Sequence, residues 1–326
     1  MKLGAILALL AGLAVAVVLV LHVGAGSVFD AIARVGWGGF ALIVLSGLGV
    51  IAFLGTAWYA LLSDHAPWPV FFAARQLRDS ASDILPFTQF GGMVIGARAV
   101  ILGGVAPPRA FASTMVDVTT ELMAQIAFIV LGLMLGIAQL RASAAMAPYA
   151  DGLILGTALL IPGIAAFVVL QRRGSSLAEK LAGRLLPAAV SHTEAFTKAL
   201  KSLYADPVRL ALSATAHLCG WISSGVWIWI VMRLAGAHID VLSAIAIESL
   251  LGALRSVTVF IPSAIGVQEA GYAALAPVFG MGPEVGLAVS LLKRARDVAV
   301  GMPVLLAWQI IEGRRAFGQP NGSAPR

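Results

Sequence analysis

The sequence predicts an all-α polytopic membrane protein with six full spans and two proline-broken re-entrant hairpins in an inverted repeat. Three observations predict this class. Of the 326 residues, 60% are hydrophobic and 12% are charged, with a mean hydropathy of +0.93, which leaves too little polar surface for a water-soluble domain. Apolar stretches of roughly 20 residues recur along the chain. Basic residues gather beside these stretches, as they do in cytoplasmic loops.

The first apolar segment, residues 3–23, is uncharged and long enough to cross a bilayer. A cleaved signal peptide has an apolar core of roughly 7 to 15 residues, so we interpret this segment as a retained first helix. Five further spans are predicted at about 38–62, 111–138, 152–170, 207–233 and 284–311.

Two other apolar regions, residues 68–106 and 241–283, are interrupted by prolines, glycines and ionisable residues. Backbone broken in this way is tolerated in a bilayer only where protein or a cavity surrounds it. We therefore predict that each region is a re-entrant hairpin. If every hairpin limb crosses the bilayer instead, the chain has ten transmembrane segments with the same orientation of its ends. The predicted hairpin-breaking residues are Pro86, Gly91, Gly92, Pro262 and Gly266.

The two hairpins align with each other at one constant offset. Pro86 and Pro262 are separated by 176 residues, and so are Pro107 and Pro283. This offset predicts a duplication within a single transmembrane domain, residues 1–326. Repeat 1 covers about 38–138, and repeat 2 covers about 207–311.

The segment between the repeats sets the predicted orientation. Residues 171–209 carry seven basic side chains and three acidic ones, which places them in the cytoplasm. We predict a cytoplasmic amphipathic linker at about 171–206 that lies on anionic headgroups, with Phe196, Leu200 and Leu203 on its apolar stripe. Both termini are then cytoplasmic, the hairpins enter from opposite faces, and the protein lies in a bacterial cytoplasmic (inner) membrane. Inverted repeats with broken helices are typical of transporters.

Many ionisable residues fall inside the predicted membrane segments. A charge at the bilayer centre costs about 2.5 to 3.5 kcal/mol on insertion scales, so these residues must pair or line a water-filled cavity. The alternatives are a transport cavity and ion pairs that hold broken helices together. The candidate cavity residues are Arg75, Asp79, Asp83, Gln89, Arg98, Asp117, Glu121, Glu248, Arg255, Gln268, Glu269, Arg296 and Asp297.

Helical spacing proposes partners for some of these charges. Arg75 with Asp79, and Lys293 with Asp297, lie at i and i+4. Asp117 and Glu121 share a face that has no basic residue, so their partner must come from another helix, with Arg98, Arg255 and Arg296 as the candidates. The same two carboxylates are a candidate for proton coupling. For Arg75, Arg78 and Asp79 the alternative is anchoring at the cytoplasmic boundary.

Familiar catalytic and metal-binding motifs are missing. The histidines His22, His65, His192, His217 and His238 lack ligand spacing, and Cys219 is a single cysteine in an apolar span, so we expect no metal site and no cofactor. The sequence has no Walker A motif, and no base stands near the serines of residues 221–225. We therefore do not expect an enzyme. The net charge of +6 belongs to membrane-flanking segments, so nucleic acid is not an expected partner.

The stretches LPFTQFGGMVIGARAV (85–100) and IPSAIGVQEAGYAAL (261–275) resemble a flippase-like membrane family related to the transmembrane region of lysylphosphatidylglycerol synthase. Pro262, Gly266 and Glu269 match the proline, glycine, glutamate element of its second half. In the first half, Gly92 stands where the family has an acidic residue. With STMVDVTTELMAQ (113–125), the variant is similar to a subgroup found with hopanoid biosynthesis genes.

The resemblance implies translocation of a lipid between leaflets, the lipid being a hopanoid or its precursor, with lipid-biosynthesis enzymes as partners. The alternatives are a membrane enzyme and a scaffold of lipid biosynthesis. The sequence gives no indication of the oligomeric state.

Overall fold

In the computed structural model of the protein, residues 25–84, 89–142, 190–257, 261 and 264–317 are described, and their regular structure is helical. The all-α prediction is therefore confirmed for this part of the chain. The helices are α1 (Ala25–Leu62), α2 (Trp68–Ile84), α3 (Gln89–Leu102), α4 (Pro107–Ala142), α5 (Val190–Tyr204), α6 (Pro207–Leu234), α7 (Val241–Val257), α8 (Val267–Val278) and α9 (Pro283–Phe317).

Three of these helices are long and apolar enough to cross a membrane, so the chain is a multi-pass integral membrane protein. They are Val28–Leu62, Pro107–Ile137 and Pro207–Leu234, and they confirm the predicted spans at 38–62, 111–138 and 207–233. The backbone of α1 leaves helical geometry at Gly36, where φ is 60°, just before the predicted start of its span. The predicted spans at 3–23 and 152–170 lie outside the described residues.

The predicted span at 284–311 forms one continuous helix, α9. Helix α9 is not among the three helices that are apolar enough to cross a membrane, because charged residues cluster in its middle. At a rise of about 1.5 Å per residue, its 35 residues span roughly 50 Å. The helix is therefore long enough to cross a bilayer, but its composition is that of a helix facing a polar interior.

Each predicted hairpin contains two helices that pack on each other, α2 on α3 and α7 on α8. Pro86 and Pro262 lie outside the described residues. Gly91 and Gly92 lie within α3 rather than in the break. A Cβ at Gly92 would collide with Ser82 and would lie 2.6 Å from the backbone oxygen of Arg78. Gly92 therefore permits the close approach of α3 to α2.

The helix contacts occur in matched sets along the two halves of the chain. The pairs α1–α2, α2–α3 and α3–α4 correspond to α6–α7, α7–α8 and α8–α9. Between the halves, α4 packs on α6 and α7, while α9 packs on α1 and α2. The remaining pair, α1–α6, joins the first helix of one half to the first helix of the other. Helices at the same position in each half therefore have equivalent neighbours.

Apolar clusters close the two ends of α1. At its carboxyl end, Leu62 packs with Val105 and with Leu203 of α5. At its amino end, Val35 packs with Ala235 and Ile239, which follow α6. The connections into α2 and α4 therefore lie at the end that holds α5, whereas the connection into α7 lies at the other end.

The described part of the linker, α5, packs on α4. Ala199 and Leu203 are buried, and Phe196 and Leu200 pack beside them, as the predicted stripe requires. This stripe therefore contacts protein, and the placement of the linker on headgroups stays a prediction. The rest of the predicted linker, residues 171–189, lies outside the described residues.

Candidate functional site

Six ionisable side chains from α2, α4 and α6 meet in the interior, and we call them the arginine–carboxylate cluster. Asp117 and His217 are completely buried, while Arg75 and Arg78 are 4% and 7% exposed. The six members of the cluster are Arg75, Arg78, Asp79, Asp117, Glu121 and His217.

The two arginines hold the carboxylates of α4 in a dense network. Arg75 donates to both oxygens of Glu121, at 2.6 and 3.0 Å, and its Nε donates to Asp79 at 3.0 Å. Arg78 donates to Asp117 at 2.6 Å and to Glu121 at 2.9 Å. Charge-assisted bonds to a planar guanidinium fork are among the strongest polar contacts in proteins, so α2 and α4 are firmly tied here.

Helical periodicity explains why the arginines of α2 contact the carboxylates of α4. Arg75, Arg78 and Asp79 lie at i, i+3 and i+4 on one face of α2, and Asp117 and Glu121 lie one turn apart on α4. The predicted Arg75–Asp79 pair is confirmed.

The predicted partners of the α4 carboxylates, in contrast, are replaced by Arg75 and Arg78. The side chains of both arginines are buried within the protein.

His217 of α6 completes the cluster from the other side. Its Nε2 lies 3.0 Å from Oδ1 of Asp117, and its Nδ1 has no hydrogen-bond partner among the described residues. One turn earlier on α6, Ser213 contacts Thr120 of α4 at 2.8 Å. A polar stripe therefore runs along the interface between α4 and α6.

Three members of this cluster have the spacing of a metal site. The donor atoms of Asp117, Glu121 and His217 lie within 4.8 Å of one another. Both carboxylates already accept hydrogen bonds from guanidinium groups, however, and a metal cation placed between them would face two positive charges. The geometry is therefore that of an ion-pair network, and the expected absence of metals and cofactors remains a prediction.

A second buried group, which we call the lysine cluster, joins α6, α7, α8 and α9. Lys293 donates to Glu248 at 2.7 Å, and Tyr272 donates to the other oxygen of Glu248 at 2.6 Å. The ammonium group of Lys293 lies 5.8 Å from the ring centroids of both Tyr272 and Trp227, within the range of cation–π attraction. The pairing of Lys293 with Asp297, predicted from spacing, is replaced by this pairing with Glu248.

Arg296 lies beside the lysine cluster. Its guanidinium is 5.5 Å from the ring centroid of Trp227 and donates to Asp297 at 3.0 Å. A Cβ at Gly47 would lie 2.8 Å from Nε of Arg296, so a glycine in α1 provides the space for this side chain.

Asp83, near the end of α2, connects the two clusters. Its carboxylate interacts electrostatically with Asp79 of the arginine–carboxylate cluster and with Lys293 of the lysine cluster. It also interacts with Arg255 and Asp297. Charged side chains from both halves of the chain therefore lie within electrostatic range of Asp83, and we call the two clusters together with Asp83 the interior network.

Glu269 has a different setting, at the amino terminus of α8. Its carboxylate accepts hydrogen bonds from the backbone N–H of Gly266 at 2.7 Å, from Ser290 at 3.3 Å, and from Arg294. Gly266 has φ 82°, which suits glycine. A carboxylate that binds a free N–H group at a helix start caps the helix and complements its dipole. Gln268 beside it donates to Ser290 at 3.1 Å.

The match to a known family covers most of the chain. The sequence model of the lysylphosphatidylglycerol synthase transmembrane region matches residues 5–304. The chain belongs to this family. No protein of curated function and no solved structure matches the chain significantly. The family resemblance seen in the sequence is thereby confirmed, whereas the hopanoid subgroup receives no support from the comparisons.

One predicted cavity residue of this family member stands apart from the network. The side chain of Arg98 is 47% exposed and pairs with Glu312 at 3.3 Å, so it does not reach Asp117 or Glu121. Gln89 begins α3, and its side chain lies outside the described set.

A small cavity of about 220 Å³ lies where α5 meets the ends of α1 and α6, lined in part by Asp64, His65, Arg109 and Arg209. The hydrogen bond and the charge of Arg209 hold the pKa of Asp64 below its usual value. Partial burial, together with the charge of Arg109, lowers the pKa of His65. The cavity therefore lies at one end of this family member's helix bundle and is lined by charged side chains that interact with one another.

Several residues of the network were not among the candidates predicted from the sequence. His217 was set aside for lack of ligand spacing, yet its partner lies 100 residues away in sequence. Lys293, Tyr272 and Trp227 were likewise absent from the candidate cavity residues. The available signal was the polar stripe of Ser213 and His217, one turn apart in an apolar span.

Proposed function

We propose that this member of the lysylphosphatidylglycerol synthase transmembrane family is a lipid flippase or transporter that uses no ATP. It moves an amphipathic lipid between leaflets along the interior network of charges. The observation that carries the proposal is this network itself, because buried charges in a membrane bundle are costly and mark transport pathways. The proposal contains no chemical step, so the protein is not an enzyme.

The pairing of the network supports a particular way of moving a headgroup. Arg75 and Arg78 are both bound to carboxylates, so an entering anionic group replaces a carboxylate rather than filling an empty basic pocket. Such an exchange keeps each guanidinium paired with an anion. The tail of the lipid stays in the bilayer while the headgroup passes along the network.

We also propose the finer architecture that the sequence predicts. It consists of one transmembrane domain with six full spans, two re-entrant hairpins and an inverted repeat. The matched helix contacts of the two halves support the duplication. The placement of the α2 and α7 connections at opposite ends of α1 supports the inversion. Both termini are then in the cytoplasm, and the protein lies in a bacterial inner membrane.

For the cargo, we propose a hopanoid or its precursor, with lipid-biosynthesis enzymes as partners. This part rests on the resemblance of residues 85–100 and 113–125 alone. It is tested separately from the movement of lipid in general.

Reconstitution into vesicles tests the proposed function. Leaflet-selective fluorescent probes with anionic, zwitterionic and hopanoid headgroups are expected to cross faster than in protein-free vesicles for at least one class. Arg75→Lys keeps the charge but loses the fork that binds Glu121, and we expect slower transport. Arg98→Lys is the matched control and should behave as the wild type. Wild-type vesicles that move none of the probes would sink the proposal.

Lipid profiling of a deletion strain separates transport from synthesis. We expect the normal lipids to be present but in the wrong leaflet. A missing lipid product would instead identify an enzyme.

A further inference from the structure

His217 offers one basic atom to the interior network. If its Nε2 carries the hydrogen that is donated to Asp117, at 3.0 Å, then Nδ1 carries the lone pair. Nδ1 is also the atom that has no partner among the described residues, and the imidazole is completely buried. Histidine is the side chain that most readily changes its charge near neutral pH. The imidazole is therefore positioned to take up a proton at Nδ1.

The charge balance of the arginine–carboxylate cluster favours such a proton. Three carboxylates, Asp79, Asp117 and Glu121, face two guanidinium groups, Arg75 and Arg78. With a neutral His217 the cluster carries one negative charge, an anionic headgroup raises this to two, and a proton on His217 returns it to one. An uncompensated charge is costly in a medium of low dielectric constant.

The other helices around His217 present few charges to it. Next to Gly220, α1 contributes Leu54 and Phe53, and next to Gly225, α7 contributes Ile245. On the side of α5, Tyr204 contacts Thr119. The charged groups that contact His217 in the described structure come from α4 and, through them, from α2, while α9 presents Lys293 and Arg296 to α6 further along, at Trp227. On α6 itself, Arg209 lies two turns away and pairs with Asp64.

One turn beyond His217, Trp221 repeats the pattern. Its Nε1 is buried and has no partner among the residues that the structure describes, and its ring stacks on Phe128 with centroids 5.9 Å apart. Two unpaired polar atoms therefore follow one another on the same face of α6.

We propose that His217 couples lipid movement to proton movement in the same direction. An anionic headgroup that pairs with Arg75 and Arg78 adds one negative charge to the cluster, and a proton bound at Nδ1 of His217 compensates it. When the headgroup leaves on the other side, the N–H bond at Nδ1 breaks and the proton returns to water there. The inference rests on the proposed transport function and assigns its energy source. Asp117 and Glu121, the proton-coupling pair expected from sequence, lie beside the two arginines.

Vesicles with an imposed pH difference test this coupling. An anionic phospholipid probe is expected to accumulate in the leaflet that faces the alkaline side. With one proton per lipid, a difference of one pH unit sustains a leaflet ratio of up to about tenfold. His217→Gln keeps a donor for Asp117 but cannot bind a proton, so the ratio should fall to about one. His238→Gln, an exposed histidine outside the network, is the control and should keep it.

A second measurement follows the proton directly and works even if His217→Gln folds poorly. In wild-type protein labelled with ¹⁵N-histidine, nuclear magnetic resonance should show the His217 ring gaining a proton at Nδ1 when the anionic probe is added at constant pH. A ring whose protonation state does not change when the probe is added overturns the proposal.

Probe movement that ignores the pH difference, or a His217→Gln variant that keeps the leaflet ratio, also overturns the coupling but leaves transport intact. Wild-type protein that moves neither anionic nor zwitterionic probes at any pH overturns the proposed function, and the coupling with it.

Discussion

Arg75 and Glu121 form a two-point ion pair between α2 and α4, with N–O distances of 2.6 and 3.0 Å. The two helices pack mainly against other helices, so their connection depends on these side chains. The pair lies inside the protein, where a partner that is lost is not replaced by water. Its removal therefore has consequences for both stability and transport.

The first prediction concerns this ion pair. Glu121→Gln leaves two guanidinium groups with less compensation in the interior, and breaking a buried pair typically costs about 3–5 kcal/mol. We expect a loss of that size in the unfolding free energy, measured by chemical denaturation in detergent. The control is Arg98→Gln, which removes an exposed pair worth at most about 1 kcal/mol. Equal losses for the two variants would contradict the assigned burial of the cluster.

The second prediction concerns Glu269. From the sequence we predict that Glu269→Gln reduces lipid movement without reducing membrane insertion. The capping geometry adds a stability loss, because Arg294 and the start of α8 lose a charged partner. A double-mutant cycle with Arg294→Gln should give a double variant clearly less destabilised than the sum of the single variants. Additive losses would show that the two side chains are not coupled.

The third prediction compares two glycines in helices. Gly92→Ala would push α3 away from Ser82 and from the backbone of α2, and we expect a cost of about 1–3 kcal/mol from the overpacking. Gly49→Ala is the matched control, because nothing lies within 4 Å of its added Cβ. That change should stabilise α1 by about 0.5–1 kcal/mol. Thermal unfolding of both variants checks the sign, and stabilisation by Gly92→Ala would rule out the close approach.

The fourth prediction tests the proposed orientation. In a Cys219→Ser background, Lys201→Cys and His238→Cys each place one exposed cysteine near opposite ends of the bundle. A membrane-impermeant maleimide added to cells should label position 238 directly, and position 201 only after the membrane is opened. Labelling of both positions from the same side would exclude the inverted arrangement of the hairpins.

The apolar helices could be predicted because a span is a local property. Long apolar stretches must form helices in a bilayer, where every backbone group needs a partner within the segment, and α1, α4 and α6 follow this rule. Helix α9 shows where this rule stops working. The charged residues in its middle lower the mean hydropathy of α9, but they do not end the helix. Gly92 was predicted to break the hairpin, and only the structure shows that it lies inside α3 and permits close packing there.

The partners of the charges could not be predicted in the same way. Helical spacing correctly paired Arg75 with Asp79, since both lie on one helix. It paired Lys293 with Asp297 for the same reason, although Glu248 of another helix binds that lysine. Helical spacing predicts only contacts between residues of one helix, whereas most of the buried ion pairs described here join different helices.

The sequence by itself determined that this chain is an all-α membrane protein of its family, because apolar length, charge distribution and local motifs are properties of the chain. Only the tertiary structure decided that His217 meets Asp117, and that Glu269 caps a helix while Arg75 and Arg78 hold the α4 carboxylates. The physical reason is that a buried charge takes the partner that the packing of helices places beside it. That partner can lie 100 residues away.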